Sequence, residues 1–402
     1  MFAVGSLNFA VSMFYRSSTA VISPALVNDF GLTGAQLSDL SAVFFYSFAF
    51  SQIPIGMALD RLGPRITMSF LAVAAVTGAL VFAKGQTPNQ LILGRTLLGI
   101  GMAGNLMAVL TLLAVWFPVD RFAFLSGMVV SIGVLGSLFA ATPLTLLSMS
   151  VGWRASFLIC AGLNAFVVLS FILIMKDCPD SHCARTMQSG PVLGGLGRLF
   201  RMYSYWAISL ANFVRYGFFA ALQSLWAGPF LMYGLGMGEI AASNAILFMG
   251  LGYMAGLPLS GSLSDRVLRS RKNVVLASMI IFCVLTGSII PWTSATHTWI
   301  LFATFFGIGL TAAPGQILYA HMKELLPPTM IAQAMTAVNL FTTLGAGVMT
   351  HVLSLAIGCD PCNLAGPDGF RPLWYVGGFA LMVVCLMYGV VPDSTALKTA
   401  KS

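Results

Sequence analysis

Apolar residues fill this chain in long runs, and charges are confined to the short breaks between them. A helix that crosses a bilayer needs about 20 apolar residues. Twelve segments reach that length: 4–28, 36–59, 66–84, 90–117, 122–146, 153–175, 204–233, 240–264, 273–291, 298–322, 330–357 and 371–392. Residues 176–203 form the one long polar stretch, mixing Pro179, Pro191, Gly194, Gly195 and Gly197 with charges. They divide the spans six and six. The pattern predicts an all-α membrane protein with twelve transmembrane helices in two pseudo-symmetric six-helix bundles, residues 1–175 and 204–402, joined by a cytoplasmic linker at 176–203. The first span is too long for a signal-peptide core and lacks a charged lead, so it reads as a retained helix.

Composition narrows the class. Charged residues make up 8% of the chain and hydrophobic residues 58%, against about 25% charged in a soluble domain. The net charge of +8 does not point to nucleic acid, because the basic residues are scattered in short loops. Their sidedness sets the orientation. With the N-terminus cytoplasmic, fourteen Lys and Arg fall on the inner side, and Lys84, Arg154 and Arg371 alone on the outer side. Both termini are therefore expected in the cytoplasm, in a bacterial inner (plasma) membrane. Cys160, Cys283 and Cys385 lie in spans as small hydrophobes. Cys359 and Cys362 form a CxxC in an outer loop, able to close a local disulfide if that side is oxidising. A metal site would need two more ligands there. Cys178, His182 and Cys183 read as solvated linker. No metal and no cofactor is expected.

The two halves repeat. Gly56-Met-Ala-Leu-Asp60-Arg61 follows the second span, and Gly261-Ser-Leu-Ser-Asp265-Arg266 follows the eighth, 205 residues later. Pro118 and Pro327 close the fourth span of each half at an offset of 209, and Arg16 and Arg215 stand 199 apart. Landmarks in one order with drifting offsets indicate duplication of a six-helix unit. Gly56-x-x-x-Asp60-Arg61-x-Gly63-x-Arg65 resembles the signature loop of the major facilitator superfamily, and Arg95-x-x-x-Gly99-x-Gly101 resembles its fourth-helix motif. The resemblance covers essentially the whole chain and implies a secondary transporter working by alternating access. It also implies that Gly56, Asp60, Arg61, Arg65, Gly261, Asp265 and Arg266 latch the inner side. Gly56 would let another helix pack close, and Asp60 would face a helix N-terminus. The Gly-Pro pair of the fifth-helix antiporter motif is not reproduced in Ser131-Ile-Gly133-Val-Leu-Gly136-Ser137, which argues against a proton-driven drug exporter.

Arg16 and Arg215 interrupt the first and seventh spans near mid-membrane, and no Asp or Glu sits at that depth. A guanidinium there costs at least about 2.5–3.5 kcal/mol on insertion scales. Its planar fork matches carboxylate or phosphate oxygens. If duplication makes the two equivalent, they clamp one small anion between the halves. Phe14-Tyr15-Arg16 and Arg215-Tyr216-Gly217 resemble the organophosphate:phosphate antiporters, short matches that other anion porters share. Tyr15, Tyr46, Tyr216, Asn105, Gln316 and Asn339 are candidate polar contacts, with Gln52 and Gln223 weaker ones.

For coupling, Arg95 and His351 are the candidates, with His321, Asp29 and Asp39 behind them. Arg95 is expected against the first or second helix. The partners expected are the lipid bilayer, a small organic anion (carboxylate, sugar acid or phosphate ester) and a proton or counter-anion, for a monomer. An enzyme has no support: HExxH, GxSxG and clustered acids at one depth are missing. The alternative, a proton-coupled exporter of drugs or other amphiphilic compounds, calls for a buried carboxylate, and the spans offer none.

Overall fold

A computed structural model describes residues 2–117, 119–174, 200–293, 295–325, 331–358 and 366–393, apart from a few side chains within them. They are helical, with no strand among the described residues. By length and composition, ten of the helices can cross a membrane. The chain divides into two compact units: Met1–Leu32 with Asp39–Gly190, and Thr33–Ser38 with Pro191–Ser402.

The first unit holds α1 (Phe2–Ser17), α2 (Thr19–Phe30), most of α3 (Gly34–Lys84), α4 (Pro88–Met102), α5 (Asn105–Trp116), α6 (Val119–Phe139), α7 (Thr142–Val151) and α8 (Trp153–Ile174). Several predicted spans are thus pairs of shorter helices. The first is interrupted at Ser18, where the Tyr15 carbonyl accepts from the Ser18 hydroxyl at 3.1 Å and from Arg95 Nη1 at 2.7 Å. Within α2, Pro24 has no N–H to give the Ala20 carbonyl, and the Ser23 hydroxyl supplies one at 2.9 Å. The second and third spans run on as α3 and part at Gly63, whose φ of 81° is open to glycine and strained for other residues.

The second unit holds α9 (Tyr203–Ala221), α10 (Glu239–Ser262), α11 (Arg271–Ser288), α12 (Thr298–Ala312), α13 (Gly315–Leu325), α14 (Ile331–Ile357) and α15 (Arg371–Gly389). After α9 the seventh span continues as two π turns, Leu222–Trp226 and Phe230–Gly234, on either side of Pro229. The missing proline donor accounts for the departure from α geometry there.

Glycines set the packing inside each unit, as expected where helices approach without water to expel. A Cβ at Gly136 on α6 would fall on the Ala10 carbonyl of α1, and one at Gly345 on α14 would fall on the Phe213 carbonyl of α9. A Cβ at Gly99 on α4 would meet the Phe44 carbonyl and Phe48 nitrogen, and one at Gly309 on α12 the Met249 carbonyl and Tyr253 nitrogen. The same atoms meet in both units, so the duplication holds at the level of contacts. It also yields a register: helix 1 maps onto helix 7 at 203 residues, helix 2 onto helix 8 at 205, helix 4 onto helix 10 at 210 and helix 5 onto helix 11 at 209. Outward, large apolar side chains stay uncovered, Leu355 at 81% and Trp299 at 70% exposure. A lipid-facing surface looks like this, and a soluble one does not.

One expectation on packing is corrected. Gly56 was expected to admit a close helix, yet among the described residues no heavy atom lies within 4 Å of a Cβ placed there or at Gly261. The turn Thr33–Ser38 groups with the second unit, where the Ser38 hydroxyl donates to the Thr350 carbonyl at 3.1 Å.

These packing distances separate two kinds of glycine. Gly136→Leu and Gly345→Leu are expected to lower the melting temperature of the purified protein sharply and to a similar degree. Gly56→Ala should raise it slightly, by the roughly 0.5–1 kcal/mol that alanine gains in a helix. Equal losses at all three positions would contradict the packing described.

Candidate functional site

Buried guanidinium groups must give their N–H donors to something, and the acids that normally receive them are missing from the middle of the spans. Arg95 on α4 is fully buried. Its Nε donates to the Leu40 carbonyl at 3.3 Å and its Nη1 to the Tyr15 carbonyl at 2.7 Å, and its guanidinium lies 4.8 Å from the Phe44 ring. It thus ties the broken first span to the second, on the two helices expected, through their backbone.

Arg215 is 2% exposed. Its Nη1 donates to the Ala312 carbonyl, at the end of α12, and its Nη2 to Asn212 Oδ1 at 3.1 Å. That carbonyl is available because the tenth span breaks at Ala313 and Pro314: the Gln316 N–H, its normal partner, bonds to Ala313 instead at 3.3 Å. Beneath the guanidinium lies Gly315, where a Cβ would coincide with Arg215 Nη2.

Arg16 differs from both. It is half-buried at the end of α1, with its guanidinium 4.8 Å from the Phe48 ring and 5.8 Å from the Phe45 ring. Aromatic faces stabilise a cation through the ring quadrupole, perpendicular to the plane of its N–H fork.

The register corrects the expected equivalence of Arg16 and Arg215. At an offset of 203, the counterpart of Arg215 is Ser12, whose hydroxyl donates to the Met102 carbonyl at 3.4 Å, as Arg215 does to Ala312. The counterpart of Arg16 is Phe219, stacked on Tyr253 at 4.9 Å as Arg16 lies over Phe48. The two arginines are therefore four residues out of register, about 6 Å along a helix.

The polar candidates separate in the same way. Tyr15 is fully buried against Phe157, its hydroxyl without a hydrogen-bond partner among the described residues, so it faces the interior of its own bundle. Asn105 is also buried, with Nδ2 donating to the Asn8 carbonyl at 3.1 Å. With Asn8 and Asn164 it lines a small cavity inside the first unit. Tyr46 and Tyr216 are half-buried and Gln316 is exposed. In the second unit the Tyr319 hydroxyl bonds to Asn339 Oδ1 at 3.3 Å and to Thr342 Oγ1 at 3.1 Å, joining α13 to α14. Sequence reasoning missed Tyr319; its position one turn past Gln316 was the available signal. His351 is half-buried, whereas His321 is enclosed, with Nδ1 bonded to the Tyr388 hydroxyl at 2.8 Å and Nε2 to the Pro392 carbonyl at 3.2 Å.

Of the loop residues, Arg65 Nε donates to the Ile172 carbonyl at 3.2 Å, and Arg61 is exposed. The side chains of Asp60, Asp265 and Arg266 lie outside the described residues, as do Cys178, His182, Cys183, Cys359 and Cys362. Asp29 accepts from Trp153 Nε1 at 2.9 Å and pairs with Arg154, whose Nη2 reaches the Gly85 carbonyl at 3.4 Å. The bonds from Trp153 and Arg154 hold the Asp29 carboxyl below its ordinary range.

Comparison with known proteins gives consistent results. The sequence profile of the Major Facilitator Superfamily matches residues 5–350. A probable sulfoacetate transporter of Cupriavidus necator is 27% identical over 312 residues, 73% of this chain and 71% of that protein. The hexuronate transporter of Escherichia coli K12 is 22% identical over 100% of this chain and 95% of its own length. Among solved structures, a D-xylose–proton symporter superposes with a TM-score of 0.78 at 14% identity, over 98% of both chains. These relatives are transporters and not enzymes, and the solved structure shares the twelve-helix fold.

The lowered pKa of Asp29 has a testable sign. Its pairing contributes fully above the ordinary aspartate pKa of about 3.9 and is lost only as pH falls through the lowered folded value. Between pH 5 and 8 the carboxyl stays ionised, which does not suit a proton carrier. Asp29→Asn is expected to leave the shape of the transport pH profile unchanged over that window. A shifted profile would return Asp29 to the coupling path.

Proposed function

The chain belongs to the Major Facilitator Superfamily, and on that ground we propose that it carries a small organic anion across the membrane, with Arg16 as the group that receives the anion's carboxylate, sulfonate or phosphate. The observation that carries this reading is the pair of arginines, Arg16 and Arg215, near the middle of spans that contain no acid at their depth. A cationic substrate would meet like charge in that interior. A neutral one would leave the cost of the arginines unrecovered. Named relatives that carry sulfoacetate and hexuronate support the anion class.

Arg16 is favoured over Arg95 and Arg215 on geometry. Its guanidinium is half-buried and lies over the Phe48 and Phe45 rings, so part of it is open to an approaching anion. Arg95 and Arg215 are enclosed and bonded to backbone carbonyls. The loop residues Gly56, Asp60, Arg61 and Arg65, with Gly261, Asp265 and Arg266, are proposed to gate the inner side. The energy source follows from the same charge. With no titrating carboxylate at mid-membrane, exchange of one anion for another is the simplest cycle, because each bound anion neutralises the charge that must reorient. His351 stays the proposed alternative for proton coupling.

Two measurements test this in proteoliposomes against sulfoacetate, glucuronate and glycerol phosphate. Arg16→Lys keeps the charge and loses the fork. Uptake is expected to fall by roughly 10- to 100-fold, the value of a charge-assisted bidentate interaction, while expression persists. Wild-type uptake by this variant would overturn the assignment of Arg16. Internal counter-anion should accelerate uptake more than an imposed pH gradient does, and strong accumulation into empty vesicles on a pH gradient alone would exclude the exchange reading.

A further inference from the structure

The two units brace their first and fourth helices at one place but with different residues. In the first unit the Ser12 hydroxyl of α1 donates to the Met102 carbonyl, and Asn105 reaches from α5 back to the Asn8 carbonyl. At the matching positions of the second unit stand Arg215, Ala312 and Gly315. The long polar side chain has changed helices. Where Asn105 extends from the fourth helix toward the first, Arg215 extends from the seventh toward the tenth, and the residue facing it has shrunk to glycine to admit it.

We propose that Arg215 is the pin of a hinge in the tenth span and not a ligand of the transported anion. Several independent features converge on this role. The tenth span is discontinuous at Ala313 and Pro314, which separates α12 from α13. Ala312, the last residue of α12, offers a carbonyl that its own helix does not use, and Arg215 Nη1 takes it. Asn212, one turn back on α9, holds Nη2 at 3.1 Å and so fixes the plane of the fork. Gly315, the first residue of α13, lies against the guanidinium so closely that any side chain would displace it. Arg215 thus touches the last residue of one half-helix and the first residue of the other.

A pin of this kind has a function in a transporter. The break leaves carbonyls in apolar surroundings, where an unsatisfied group costs several kcal/mol. A permanently charged donor satisfies one of them while α12 and α13 change their mutual angle, because the bond comes from a side chain that can follow the carbonyl. A continuous helix could not bend there, and an unpinned break would be costly in every state. Arg215 therefore acts on the rate of the conformational step and not on recognition of the anion. It is a positioning residue.

The test combines a stability cycle with a separation of affinity from turnover. The transport half rests on the anion reading above; the stability half needs no substrate. Melting temperatures of the full-length purified protein are measured for wild type, Arg215→Ser, Gly315→Ala and the double variant. Gly315→Ala is expected to destabilise the wild type by several degrees and to cost less than half as much in the Arg215→Ser background, since the three atoms nearest the new methyl all belong to the guanidinium. Equal losses in both backgrounds would overturn the pin. Sulfoacetate and glucuronate are then titrated into the same proteins, and uptake is measured. Arg215→Ser should keep the affinity of the wild type within about threefold while turnover falls about tenfold. A tenfold or greater loss of affinity with the fold intact would make Arg215 a ligand and overturn the proposal. Should Arg215→Ser fail to fold, Asn212→Leu removes the second bond and leaves the guanidinium in place. The same split between affinity and turnover is expected of it, and a loss of affinity alone would again overturn the pin. If the wild type binds neither anion, the functional reading fails and the stability cycle still decides the hinge.

Discussion

A guanidinium enclosed by apolar helices has five N–H donors, a charge that stays on at any physiological pH, and no water to turn to. This chain encloses or half-encloses three such groups, and at the depth of Arg16 and Arg215 it places no acid. Two of them resolve the problem with backbone. Arg95 takes the carbonyls of Leu40 and Tyr15, and Arg215 takes that of Ala312. The carbonyls of Tyr15 and Ala312 lie where a span is interrupted, whereas that of Leu40 lies within the continuous part of α3. Broken spans and buried arginines thus go together at two of the three places. The residual positive charge is not neutralised by carbonyl dipoles, and the proposed preference for anions rests on it.

Glycine is the counterpart of that arrangement. Gly99 and Gly309 let helices four and ten touch helices two and eight at backbone distance, and Gly136 and Gly345 do the same for five and eleven against one and seven. Close approach brings carbonyls within reach of side chains on the neighbouring helix, as with Ser12 and Met102. Gly315 is used differently, because what it admits is a guanidinium and not a helix. The duplicated frame therefore tolerates divergence at single positions: Phe305 stands where Arg95 does, and Phe219 where Arg16 does, both buried and apolar in the second unit.

Much of the frame was legible because the bilayer allows few solutions. Runs of about 20 apolar residues and one polar linker suffice to place twelve spans. The interruptions of those spans were not legible. Pro143, Pro229 and Pro314 advertised three of them, whereas at Ser18 the released Tyr15 carbonyl is taken by Arg95 from another helix. The pairing of Arg16 with Arg215 was the clearest misreading. Two arginines in corresponding spans suggested one register at 199, whereas helix packing sets 203, and a shift of four residues keeps the same face while moving a full turn. Close approaches between glycine and backbone carry the true register, and glycine is too frequent in this chain for one pair to stand out. Tyr15 and Asn105 were expected as polar contacts of the anion, and their burial inside their own bundle could be learned only from the fold.

The central claim is that fixed positive charge, and not shape alone, selects the substrate. It is tested most directly by competition between glucuronate and its uncharged primary amide, which match in size and ring hydroxyls, for uptake of a labelled sugar acid into vesicles. The account predicts that glucuronate competes and that the amide does not at concentrations tenfold higher, since the amide lacks the negative charge and the second acceptor oxygen of the bidentate pair, and with them a charge-assisted hydrogen bond worth about 1.5–3 kcal/mol. Equal competition by the amide would contradict it and would place recognition in the hydroxyl groups.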